Sequence, residues 1–375
     1  MPVPVLLMAR EMNLGGVERD VSKFARHLCA YGIAPHVASF SPGGMRWREV
    51  EAAGIPLLPL PVASFRSRSG LAGAWNLRRY LREHRIQVFH AFDQASAVFG
   101  VPVARVAGVP VAISSQLCYR ELVPPNLRLL LPALDRIATA LFVNCEAMAD
   151  HLVRDCGVPR SKIRVCYNGV ETDEFHPRGR VRPESLAPAG VVIGTVAVLR
   201  EEKNLPLLMD AFAGVRRSAD PTAMLLIVGS GPMRAGLERQ ALDLGVAGAC
   251  VFEEATDAPA RWMRAIDIFV LPSRSEAFSN ALLEAMACGC CPVGSRVGGT
   301  PELIRHGERG FLFEPGNLAE LTEMLSILAA DPLRRRAMAD AAARFSATEL
   351  NIQVASARLA SIYKSLLAGH AIQAP

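Results

Sequence analysis

SRSEAFSNALLEAMACGCCPVGSRVGGTPE, residues 273–302, is the most informative stretch of this 375-residue chain. The apolar run Ile268–Leu271 reads as a strand that leads into it. A short polar turn follows, and a helical pattern of apolar residues opens near Ser279. The first N–H groups of a helix have no partner within the helix, so its start suits an anion. Glu276 falls in the turn before the helix and Glu284 in its second turn, eight positions on. Two carboxylates beside a helix start suit a ligand that carries both phosphates and hydroxyls. Taken alone, the spacing also fits glutamates that merely favour a helix N-terminus electrostatically.

Outward from this unit the same alternation continues. In the first half, strands are predicted near Val5–Met8, His36–Ser39, Val88–Ala91, Val111–Ser114, Leu141–Asn144 and Ile163–Tyr167. Amphipathic helices fall between them, near Val17–Tyr31, Leu71–Glu83, Ser96–Ala107, Leu127–Ala138 and Glu146–Cys156. The second half repeats the pattern from Val191–Val198 to Cys291–Gly294, with helices that include Asn204–Ser218, Ser279–Cys288 and Pro332–Phe345. Repeated β-α units mean parallel sheets covered on both faces. The Pro- and Arg-rich stretch HPRGRVRPESLAPAG, residues 176–190, reads as a linker. The expected fold is therefore α/β, with two doubly wound Rossmann-like domains facing across a cleft. Ligands would bind outside the carboxyl ends of the strands.

The stretch 273–302 resembles the Glu-x7-Glu signature of glycosyltransferase family 4, whose members are retaining sugar transferases of the GT-B fold. Ala277, Ser279 and Cys291 stand where the family usually shows Gly, Pro and Pro. The resemblance implies an N-terminal acceptor-side domain (1–175), the linker, a nucleotide-sugar-binding domain (191–350) and a last helix (351–375) that crosses back to the first domain. It also implies that Phe278, Ser279, Asn280 and Ala281 line the donor. Glu276 would grip the transferred sugar and Glu284 the ribose.

Further motifs carry the same resemblance. VAVLREEKN (196–204) is similar to a family segment whose Arg and Lys bracket the donor diphosphate. Lys203 falls in place, whereas Val198 holds the usual Arg position and Arg200 stands two residues on. As plain surface charge, Lys203 and Arg200 would pair with Glu201 or Glu202. NLGGVER (13–19) places Gly15 and Gly16 after the first strand, which fits either a tight turn or, by resemblance, a contact with the diphosphate. VGSGPMR (228–234) resembles the family's VGDGP turn and puts Gly231 at the donor. It lacks the third glycine of a dinucleotide fingerprint. FEEATDAPA (252–260) resembles a loop whose backbone holds the base; Glu253 and Glu254 stand where the family has Leu and Gly, and Glu254 fits either an acceptor toward guanine or one of a plain exposed pair. His90 ends a strand in VFHAFD, where the family often has a histidine that reaches the sugar. A satisfied structural histidine fits that position equally.

Composition narrows the classes. A hydrophobic fraction of 51% with 21% charged residues describes a globular chain. There is no apolar run of membrane-spanning length and no basic leader, so a soluble, cytoplasmic protein is expected. The nine cysteines suggest reduced thiols, and Cys288, Cys290 and Cys291 read as small buried hydrophobes. The first 177 residues carry 20 basic and 15 acidic side chains, while the remainder carries 21 of each. The excess is densest at Arg66, Arg68, Arg78, Arg79, Arg82 and Arg85, a cluster that fits either a solvated helix face or an anionic acceptor or anionic membrane surface. No nucleic-acid motif is present.

The expected activity is metal-independent hexosyl transfer from a UDP- or GDP-sugar to a glycan, lipid-linked or small-molecule acceptor. Lys203 and Arg200 would meet the charge that grows on the departing diphosphate. No Asp-x-Asp motif for a metal occurs, and no cofactor is expected. A nucleotide-sugar epimerase of the same fold, a nicotinamide oxidoreductase and a non-catalytic sugar-nucleotide binder remain alternatives.

Overall fold

Thirteen short apolar runs become the strands of two sheets in the computed structural model, which describes residues 1–373. In chain order the first seven are β1 (Val3–Glu11), β2 (Ile33–Ser41), β3 (Leu57–Pro59), β4 (Val88–Ala91), β5 (Val111–Ser115), β6 (Ala140–Val143) and β7 (Ile163–Val165). They form one sheet in the order β3-β2-β1-β4-β5-β6-β7, all parallel. The other six are β8 (Val192–Val196), β9 (Met224–Val228), β10 (Cys250–Glu253), β11 (Ile268–Leu271), β12 (Cys291–Ser295) and β13 (Phe311–Phe313). They form a parallel sheet ordered β10-β9-β8-β11-β12-β13. Both sheets are doubly wound: strand order reverses between β1 and β4, and again between β8 and β11.

The chain divides into two units. One is Met1–Gly169 together with the C-terminal stretch from Ile352, and the other is Val170–Asn351. In the first unit, alternate strand residues feed separate cores on the two sheet faces. Val5, Leu7 and Val88 join the helix Gly16–His27 on one face, where Leu359 and Tyr363 of the helix Ile352–Gln373 complete the packing. Leu6, Met8 and Phe89 join Leu77, Leu81 and Val101 on the other. The second unit has a corresponding core of Ile193, Leu225, Ile268 and Val293 under the helix Leu205–Ser218.

The stretch 176–190 is not a bare tether. It belongs to the second unit, and the chain crosses earlier, at Gly169–Val170. Arg180 and Arg182 both donate to the Asp267 carboxylate, at 3.0 and 2.6 Å. The same carboxylate accepts from the Val192 N–H at 2.8 Å. One acidic side chain thus pins this arginine-rich segment to the start of β8.

Two glycines after β9 let the neighbouring backbone close in. Gly229 lies at φ +146°, and a Cβ there would stand 1.8 Å from the Ala197 carbonyl oxygen. A Cβ on Gly231 would stand 2.5 Å from the Leu199 carbonyl oxygen. The Ala197 N–H donates to the Val228 oxygen and the Leu199 N–H to the Ser230 oxygen, so neither backbone can retreat cheaply. Gly229→Ala is therefore expected to cost on the order of 3 kcal/mol. Urea unfolding measures it, and an unchanged midpoint would contradict the close-approach account.

Candidate functional site

The reversal between β8 and β11 brings together two loops that lie far apart in the chain. The loop after β8 ends in the short turn Glu201–Lys203, and the loop after β11 runs to the helix Asn280–Ala287. The Arg274 N–H donates to the Glu202 carbonyl at 2.8 Å and ties one loop to the other. Across this junction the Lys203 ammonium lies 2.7 Å from Glu276 Oε2. The Ser273 hydroxyl donates to the same oxygen at 3.3 Å. The Ser295 hydroxyl, at the end of β12, holds the Ser273 carbonyl at 2.6 Å. Lys203 therefore pairs with neither Glu201 nor Glu202. Arg200 takes Glu202 instead, loosely, at 4.0 Å, with its side chain 63% exposed.

Ser279 caps the helix Asn280–Ala287, its hydroxyl accepting from the Leu282 N–H at 3.3 Å. This cap is neutral and leaves the positive end of the helix dipole without a counter-charge from its own cap. Phe278 and Ala277 are buried just before it, and the Ala277 carbonyl accepts from Gly299 N–H at 2.7 Å. Asn280 and Ala281 form the first turn, and Glu284 is buried and partnered in the second. Lys203, Glu276, Phe278, Ser279, Asn280, Ala281 and Glu284 thus occupy one corner of the second unit. Gly231 lies on the adjoining turn, whose backbone reaches Leu199. Glu254 is engaged by its own neighbours: the Ser230 hydroxyl donates to one oxygen at 2.6 Å and Arg234 to the other at 3.1 Å. The roles of Ser273 and Ser295 escape sequence reading, because both act through loops joined only by strand order.

The first unit has the same kind of corner between β1 and β4. Gly15 is the N-cap of the helix Gly16–His27, and the Glu18 carboxylate folds back over it. A Cβ on Gly15 would lie 2.0 Å from Glu18 Oε2. Burial raises the Glu18 carboxyl above its ordinary range, and the nearby carboxylates of Glu11, Asp93 and Asp20 add to the rise, while its own backbone N–H opposes it. This helix start therefore carries an acid of its own, in the third position where capping acids sit. The spacing in GGVE is the sequence signal that would have found it.

His90 does not face a ligand. It is 0% exposed, with Nδ1 at 2.7 Å from the Tyr363 hydroxyl and Nε2 at 2.8 Å from the Ser115 hydroxyl. Its ring lies tilted against Phe92 and meets Phe142 edge-on. The expectation that it reaches a sugar is corrected: both nitrogens are spent inside the core, under the C-terminal helix. The three clustered cysteines Cys288, Cys290 and Cys291 are buried free thiols, and burial pushes Cys288 and Cys291 up to about 12. Among the described residues no group of three or more His, Cys, Asp or Glu side chains is placed to hold a metal. Likewise among them, no helix is long and apolar enough to cross a membrane.

Burial lowers the His90 imidazole from 6.5 to about 3, so the folded protein keeps it neutral where the unfolded chain takes up a proton. Between those values the unfolded state binds more protons, and stability falls as pH drops from 6.5 toward 3. His36 acts with the same sign, lowered to about 4 by burial and then by the charge of His84. His90→Gln is expected to flatten this acid slope by at most about 1.4 kcal/mol per pH unit. Urea midpoints across the range test it, and equal slopes in both proteins would overturn the burial account.

Residues 14–174 match the family described as Glycosyltransferase Family 4, and residues 181–345 match that described as Glycosyl transferases group 1. The chain is 34% identical over 208 residues to a GDP-mannose-dependent alpha-(1-6)-phosphatidylinositol monomannoside mannosyltransferase of Mycolicibacterium smegmatis, covering 52% of this chain and 54% of the relative. It is 26% identical over 390 residues to a D-inositol 3-phosphate glycosyltransferase of Streptomyces avermitilis, covering 98% of this chain and 83% of the relative. The chain spans about half the length of several of the curated relatives it matches. The crystal structure of Anabaena HepE with UDP and glucose superposes with a TM-score of 0.84 at 21% identity, over 97% of this chain and 100% of that one. That likeness is one of fold: two parallel-sheet, Rossmann-like units.

Proposed function

Because the chain belongs to glycosyltransferase family 4, we propose that it moves a hexosyl group from a UDP- or GDP-sugar to a glycan, lipid-linked or small-molecule acceptor. The observation that carries this reading is the Lys203–Glu276 pair at the carboxyl ends of β8 and β11, beside a helix start with a neutral cap. The UDP and glucose in the HepE crystal structure support a nucleotide-sugar donor.

Breaking the anomeric C–O bond places negative charge on the departing diphosphate. The Lys203 ammonium would meet that charge, together with the N-terminal end of the helix Asn280–Ala287. Arg200, exposed and weakly held, can swing toward it. When Lys203 turns to the diphosphate, Glu276 is released to accept from hydroxyls of the transferred sugar, while Ser273 keeps its carboxylate oriented. Glu284 would take the ribose hydroxyls. Lys203, Arg200 and the helix dipole would supply the positive charge, so the reaction proceeds without a divalent metal. The acceptor attacks from the leaving group's own side and its proton passes to a diphosphate oxygen, which retains the donor configuration. The basic N-terminal half supports an anionic or lipid-linked acceptor, contact with an anionic membrane surface and a place in cytoplasmic glycan assembly.

A well-placed donor of this kind contributes about 3–4 kcal/mol to the transition state, so Lys203→Ala is expected to lower turnover by at least about a hundredfold. EDTA is expected to leave turnover unchanged. A thermal-shift panel of UDP- and GDP-hexoses identifies the donor to assay. Full activity in the alanine variant, or loss on chelation, contradicts the reading. Change in the donor's anomeric NMR signal without an acceptor would identify an epimerase instead.

A further inference from the structure

The proposed chemistry leaves unused the outer face of the helix Arg68–Glu83. Its inner face is core, with Leu77 and Leu81 buried and Gly73 set closely against Val62. The outer face presents Arg68, Leu71, Trp75, Arg78, Arg79 and Arg82, at the three- and four-residue spacing of one helical side. Leu71 is 74% exposed and Trp75 58%, and all four arginines are exposed. The Arg79 guanidinium lies 4.7 Å from the centre of the Trp75 ring. Glu83, 3.7 Å from Arg79 Nε, offsets part of the charge.

This face belongs to a wider pattern. Half of the exposed large apolar side chains among the described residues fall within 65–137, Leu129 at 82% among them. The same stretch holds ten arginines against four acidic residues. Two of those acids are already engaged, Asp93 by Arg10 and Ser96 and Asp135 by Arg120.

We propose that this face docks the protein on an anionic lipid bilayer. The inference deepens the acceptor side of the proposed function and rests on that reading for its purpose, though not for its physics. A Trp ring and a Leu one turn apart, with Arg68 on one side of them along the helix and Arg78, Arg79 and Arg82 on the other, match the shallow apolar depth and phosphate layer of a membrane interface. Guanidinium forks bind phosphodiesters through paired hydrogen bonds. A protein groove would call for a continuous apolar ridge, and this face alternates apolar tips with charge.

Co-sedimentation of the full chain with vesicles tests the proposal. Binding is expected to phosphatidylcholine vesicles containing phosphatidylglycerol, not to phosphatidylcholine alone, and to weaken with salt. The pair Leu71→Ser with Trp75→Ser, and separately Arg78→Glu with Arg82→Glu, are expected to lower binding at least about tenfold. Both variants should keep the wild-type melting temperature and the thermal shift from the nucleotide sugar. Equal binding to both vesicle types, binding to neither, or wild-type binding by either variant overturns the proposal. So does a dimer-to-monomer change in the Leu71/Trp75 variant without vesicle binding, which would assign the face to a second copy. Vesicle binding without any nucleotide-sugar response would count against the transferase reading alone.

Discussion

Lys203 and Glu276 meet because β8 and β11 are neighbours in the sheet although 73 residues separate the two side chains. Every other feature of that corner follows from this adjacency. A doubly wound sheet sends its helices to opposite faces at the point where strand order reverses, so the loops there splay and leave a crevice. The Arg274–Glu202 backbone bond closes the floor of the junction, and Ser295 fixes Ser273 from the next strand. The ion pair is then held in a defined geometry by backbone, not by long flexible side chains alone.

The two units treat their helix starts differently, and the difference is electrostatic. Ser279 satisfies one N–H with a neutral hydroxyl, so this cap brings no counter-charge to the positive end of its helix. Glu18 satisfies the other start with a carboxylate, in a setting already crowded by Glu11, Asp93 and Asp20. The diphosphate contact expected at Gly15 and Gly16 would have to displace or neutralise that carboxylate. Diphosphate chemistry is therefore better matched to the second unit, and the first offers acceptors for hydroxyl groups.

Much of this was legible in the chain itself. Central strands such as Ile268–Leu271 are uninterrupted apolar runs, because helices bury them on both faces. The edge strands β3 and β13, of three residues each, carry too little pattern to be read. The helix expected over Leu127–Ala138 is split into Pro125–Arg128 and Leu131–Ile137, since Pro132 begins a new helix where it would have broken a continuous one. At the site, motif resemblance located Lys203 and Glu276 but not their pairing, which depends on strand order. His90 misled for a related reason: its partner Tyr363 is 273 residues away, on a helix whose docking no local pattern announces.

That helix has a consequence for synthesis on the ribosome. The first unit's core is incomplete without Leu359 and Tyr363, yet Val170–Asn351 must emerge in between. At ordinary elongation rates this interval lasts roughly 10–40 s. The inserted unit can fold in that time, while one face of the nascent amino-terminal sheet waits with only the helix Gly16–His27 and its neighbours to cover it. Chaperone dependence, and losses from premature termination near the 3′ end of the message, should therefore concentrate in the half of the protein that is made first.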